Sequence, residues 1–188
     1  MVIINYIMSK LIKSMSSQLT TARQVAFVES NTLFVDGGHN KMTENEAWAS
    51  VVNHDNKCMI THYKDSTLFS DLTLKEVELP VGKRNIVISS FDDVKIQQNN
   101  GAELLAMVIG LRIAEMDKTI TTIKGDSDLI IKWWSKGKVN KTTKSKMDKR
   151  KIAFIEECKN LRDIFELRKG QIIKISGTDN KADLGYHK

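Results

Sequence analysis

Asn99-Asn100-Gly101-Ala102-Glu103-Leu104-Leu105-Ala106 is the stretch from which the architecture of this chain can be read. An asparagine suited to capping stands before a run in which Leu104, Leu105, Val108, Leu111 and Arg112 recur at helical spacing. Ala106, Gly110 and Ala114 form a small-residue flank that lets such a helix lie close against a sheet. On its N-terminal side the pattern turns to strands. Thr32-Leu33-Phe34-Val35 ends at Asp36-Gly37-Gly38, Ala47 to Val52 reads as a second strand, Met59 to Tyr63 as a third after the turn-prone Asp55-Asn56-Lys57, and Asn85 to Ser90 as another. On its C-terminal side Thr119 to Lys124 is strand-like, and Gly125-Asp126-Ser127 turns the chain into a helical Leu129 to Trp134. A lysine-rich linker, a long helix over Lys146 to Phe165, a strand over Gln171 to Ser176 and a short terminal helix starting at Thr178-Asp179-Asn180 complete the order. This succession predicts an α/β architecture with a mixed sheet.

The 188 residues, 41% hydrophobic and 28% charged, suit one globular domain. Apolar runs such as Leu104 to Ile109 fall far short of the ~20 residues a bilayer requires, so no membrane partner is expected. Cys58 and Cys158 cannot build a disulfide framework, and free thiols suit a reducing compartment, cytoplasmic or nuclear. Residues 1–30 have no acidic group before Glu29, yet a single arginine and poor amphipathic order argue against organellar targeting. They are expected to form a poorly ordered extension ahead of a domain over 31–188. The net charge of +6 is unevenly placed: residues 132–151 hold nine cations and one anion, leaving the rest of the chain slightly acidic. One basic lobe on a near-neutral body is the footprint of a phosphate-backbone binder, although a lysine run alone also reads as a solvated loop.

Four acids fall at element ends: Asp36 after the first strand, Glu103 in the first turn of the helix, Asp126 between a strand and a helix, and Asp183 near the C-terminus. Singly they read as a turn residue, a dipole partner, a cap and a surface group. Gathered at one sheet edge they would concentrate negative charge at a cost that hard cations offset. An all-oxygen donor set suits Mg²⁺ or Mn²⁺, and two such ions activate a water and stabilise the leaving oxygen of a phosphodiester. His54, Cys58 and His62, spaced by four, raise zinc as an alternative, but a fourth ligand is missing and a turn separates His54 from the other two.

Phe34-Val35-Asp36-Gly37-Gly38, Asn99 to Ala106, Gly125-Asp126-Ser127-Asp128-Leu129-Ile130 and Asn180-Lys181-Ala182-Asp183-Leu184 resemble, in order, the four acidic motifs of type 1 ribonuclease H. The resemblance covers residues 32–188. It implies a ribonuclease H-like fold, a mixed five-stranded sheet with helices on both faces, and Mg²⁺-dependent cutting of the RNA strand of RNA–DNA hybrids by a monomer. In the family pattern Asp36, Glu103, Asp126 and Asp183 would be catalytic and would hold two Mg²⁺ ions, with Mn²⁺ as a substitute. Gly37, Gln98, Asn99 and Asn100 match positions that meet the hybrid, where an amide can read a 2′-OH as donor or acceptor. The region of Trp133, Trp134, Lys136, Lys138, Lys141, Lys144 and Lys146 would grip the DNA strand, with one of the adjacent tryptophans turned into the core.

The chain departs from the pattern in places. The interval from Asp36 to Glu103 is long, which implies an insertion around residues 64–84, where Pro80-Val81-Gly82 marks a loop. The loop Gly177-Thr178-Asp179-Asn180 lacks the histidine many members carry; His187, one helical turn after Asp183, is the candidate substitute, although a frayed tail is the simpler reading. A DNA nuclease or junction resolvase of the same superfamily, or a catalytically weak hybrid-binding protein, are the alternative functions.

Overall fold

The computed structural model describes residues 30–39, 47–78, 84–89 and 99–183. The expectations placed on residues 1–29, on the Pro80-Val81-Gly82 loop, on Gln98 and on His187 lie outside the described residues.

The central sheet has the strand order β2 (Ala47–Asn53), β1 (Thr32–His39), β5 (Thr122–Gly125), β6 (Gln171–Lys174). β1 pairs antiparallel with β2 and parallel with β5, which pairs parallel with β6. This is the mixed sheet expected, with a difference at its edge. β3 (Thr73–Glu78) and β4 (Arg84–Ser89) form a separate antiparallel ladder, with β4 lying against β2. The hydrogen-bonded central sheet among the described residues therefore has four strands, and a fifth is not joined to it.

The strand expected over Met59 to Tyr63 is instead a helical turn, α1 (Met59–His62). Met59 and Ile60 are neighbours and both buried, which a strand cannot do when one of its faces is wet. The reversal before it is built by Asn53, whose Oδ1 accepts from the backbone N–H of Asp55 (3.0 Å) and of Lys57 (2.9 Å), and by Asn56, which takes a left-handed φ of 61°. His54 lies 3.0 Å from Asp55 and His62 stacks edge-on against Tyr63, so the His54, Cys58 and His62 constellation is not gathered into a ligand set.

α2 (Asn99–Met116) is the core helix. It lies on the face of the sheet that presents Leu33, Val35, Val51 and Ile123, and its outer side is covered by α5 (Lys149–Leu167). Covered from both sides, it buries twelve residues of its length, including the small flank of Ala106, Gly110 and Ala114. Gly110 meets Val35 so closely that a Cβ there would lie 2.8 Å from Val35 Cγ1. Arg112 ties the layers together by bonding Asp71 (2.7 Å), the Leu68 carbonyl (2.8 Å) and Glu157 (2.6 Å).

Between β5 and α5 the lysine-rich segment is more structured than a linker. It holds α3 (Asp128–Lys132), a 3-10 turn at Trp134–Lys136 and the one-turn α4 (Lys141–Lys144). Asn140 caps α4 through Thr143 N (2.7 Å), and Asp148 caps α5 through Lys151 N (2.7 Å), which starts the long helix three residues later than the apolar spacing suggested. The second face of the sheet carries a small cluster of Phe34, Val52, Ala182 and Ile175. The terminal helix expected from Thr178 is a single 3-10 turn, Gly177–Asp179, followed by a turn in which Asp183 N bonds Asn180 O at 3.0 Å.

Candidate metal centre

Three of the four expected acids converge. Carboxylate oxygens of Asp36, Glu103 and Asp126 lie within 4.8 Å of one another. Each arrives from a different element: Asp36 from the middle of β1 rather than its end, Glu103 from the second turn of α2 rather than its first, and Asp126 from the residue just past β5.

Glycine makes this convergence possible. A Cβ on Gly37 would fall inside the backbone of Ala102 and Glu103, so the N-terminal turn of α2 rests directly on β1 at that point. The Gly37 backbone N–H hydrogen-bonds the Glu103 carboxylate. Gly37→Ala is therefore expected to push the helix off the strand and to destabilise the protein by about 3 kcal/mol, the upper end of overpacking costs, read as a shift in the urea midpoint.

On the other side of the cluster the buried Asn180 holds Asp126. Its Nδ2 donates to Asp126 Oδ1 (3.2 Å) and to the Val35 carbonyl (3.0 Å), and its Oδ1 accepts from Ala182 N (3.1 Å). One side chain thus orients a candidate ligand and anchors the C-terminal turn against β1. In the sequence Asn180 stands within the fourth motif and at the start of the expected terminal helix; its hold on Asp126 and Val35 is visible only in the fold. Gly177 also backs Asp126, with a Cβ there standing 3.2 Å from Oδ2.

The electrostatics fit a cation. Asp36 is 1% exposed. Burial, with the charges of Asp36 and Asp126 adding to it, pushes the Glu103 carboxyl up to about 9, against the opposing Gly37 hydrogen bond. A positive partner at this point would favour the ionised form of Glu103 against its burial and its two acidic neighbours. The donors are all oxygen, with no thiolate or imidazole among them, which selects a hard divalent ion.

Asp183 is not in this cluster; it is half-buried on the turn that Asn180 anchors. Asn99 and Asn100 are exposed at the start of α2. In the basic lobe Trp134 is buried and Trp133 is 54% exposed, so one tryptophan of the pair does belong to the core. Lys136, Lys138, Lys141, Lys144 and Lys146 are all exposed.

No protein-family model and no curated protein sequence matches the chain. Among solved structures, it is similar to the crystal structure of RNase H1 from the halophilic archaeon Halobacterium salinarum NRC-1. The two are 17% identical, with 80% of this chain and 89% of that chain covered, at a TM-score of 0.40. No described helix is long and apolar enough to cross a membrane.

Proposed function

We propose that this chain is a divalent-metal-dependent nuclease of the ribonuclease H kind that hydrolyses the RNA strand of RNA–DNA hybrids. The observation that carries this reading is the convergence of Asp36, Glu103 and Asp126, each supplied by a separate motif, at one end of a mixed sheet. Asp36, Glu103 and Asp126 would hold Mg²⁺, with Asp183 completing the set from the C-terminal turn; Mn²⁺ would substitute. When bound, a pair of such ions supplies an activated water and charge stabilisation at the leaving oxygen. The chain's own residues do the rest. Asn180 fixes the Asp126 carboxylate, Gly37 fixes Glu103, and the amides of Asn99 and Asn100 would meet sugar edges, where a 2′-OH distinguishes RNA from DNA.

A labelled hybrid, duplex DNA, duplex RNA and a four-way junction, each incubated with and without Mg²⁺, tests the substrate class. Cleavage confined to the hybrid supports the reading. Preference for the junction or for duplex DNA favours a DNA nuclease of the same superfamily, and binding without cleavage favours a hybrid-binding protein.

The exposed lysines and Trp133 would provide ground-state grip on the substrate. Replacing Lys136, Lys141 and Lys144 with Gln is expected to raise KM, to flatten the dependence of log affinity on log salt by about two to three units, and to leave kcat nearly unchanged. Phosphates gripped at a distance from the scissile bond bind equally in ground and transition states. An unaltered salt slope in a binding titration would reduce the lobe to a solvated segment.

A further inference from the structure

On β2, Ser50 stands directly opposite Asp36 in the antiparallel register, with Trp48 opposite Gly38 and Val52 opposite Phe34 on either side of it. Directly paired residues project to the same face with Cβ atoms about 4.5–5.5 Å apart. Asp36 is therefore flanked by Ser50 on the β2 side, with Asp126 among its close neighbours in the acidic cluster. Ser50 is fully buried, and its Oγ has no hydrogen-bond partner among the described residues. Trp48 covers Gly38 so tightly that a Cβ there would enter the indole ring, and Val52 belongs to the apolar cluster of the second face. A hydroxyl in such surroundings costs about 1–3 kcal/mol when nothing bonds it, and alanine would fill the slot without that cost.

We propose that Ser50 is a positioning residue of the acidic site: its hydroxyl donates to the Asp36 carboxylate once a divalent cation engages that group, and so fixes the carboxylate's orientation. Rotation about a single χ1 angle moves the serine oxygen between staggered positions, so the bond requires no backbone movement. The proposal rests on the metal-centre reading above. Partners that orient a metal's ligands typically change its affinity by about 10–100-fold when removed.

The test is calorimetric titration of the full chain with Mn²⁺, in the wild type, Ser50→Ala and Ser50→Cys, alongside the Tm of each protein in EDTA. Cysteine fills the slot with a somewhat larger side chain while donating weakly, which keeps the test open if alanine leaves a cavity. The expected result is a Kd for Mn²⁺ about tenfold weaker in both variants, with a metal-free Tm equal to or above that of the wild type. An unchanged Kd in both variants overturns the role of Ser50 while leaving the metal centre standing. A weaker Kd that comes only with a lower metal-free Tm in both variants also overturns it, because Ser50 would then be a packing residue. A wild type that takes up no Mn²⁺ removes the metal centre itself, and this proposal with it.

Discussion

Asp36→Asn is expected to lower metal-dependent cleavage by about three orders of magnitude or more while leaving the fold intact. The metal contributes several kcal/mol of transition-state charge stabilisation, and each 1.36 kcal/mol is a factor of ten in rate. Asp36 is the most deeply buried of the three acids and belongs to the strand that organises the sheet, so the fold itself fixes its place in the cluster. Asparagine keeps its shape and removes a charge beside Glu103 and Asp126. The metal-free protein should therefore melt at the same temperature or higher, and the stabilisation that Mg²⁺ gives the wild type should largely vanish. Cleavage at near-normal rates by this variant at saturating Mg²⁺ would remove Asp36 from the chemistry.

The second large effect concerns Glu103 and pH. In the metal-free protein its carboxyl is pushed from 4.5 to about 9, chiefly by burial and then by Asp36 and Asp126. The folded state thus keeps a proton that the unfolded chain releases above the ordinary glutamate range. Stability from this source is full below about pH 4.5 and is lost progressively as pH rises towards 9. Each unit of the interval corresponds to about 1.4 kcal/mol, so the decline amounts to a few kcal/mol after allowance for partial exposure. In EDTA the wild-type Tm should fall between pH 5 and 9, and Glu103→Gln should remove most of that slope. With Mg²⁺ present the wild type should lose the slope as well, because the cation stabilises the ionised carboxylate, and its Mg²⁺ affinity should rise with pH. Parallel Tm curves for wild type and Glu103→Gln in EDTA would show that Glu103 does not carry the proton.

How much of this could be read from the residues alone depends on where the physics is local. The helix from Asn99 was legible because its spacing and its small flank agree, and the structure places Gly110 against Val35 as that flank implied, with Asn99 and Asn100 inside the helix rather than ahead of it. The start of β1 was legible as an apolar β-rich run, but the strand continues through Asp36, Gly37 and Gly38 to His39, where the acid and glycines had read as its end. Met59-Ile60 misled because two adjacent apolar residues satisfy a strand template, whereas here both are buried in one helical turn. β3 was missed because Thr73-Leu74-Lys75-Glu76-Val77-Glu78 has no clean alternation; its ladder with β4 is a tertiary choice. In the site, the motif acids were legible, but the residues that hold them were not. Asn180 bonds across the chain to Val35 and Asp126, and Ser50 meets Asp36 only through strand register, so neither pairing has a local sequence signal.

The most direct test of the central claim is digestion of an RNA–DNA hybrid by the full chain, with each strand labelled separately, in Mg²⁺ and again in EDTA. The expected result is internal cleavage of the RNA strand in Mg²⁺, an intact DNA strand, and no cleavage in EDTA. An RNA strand left intact in Mg²⁺, or cut equally well in EDTA, would contradict the account.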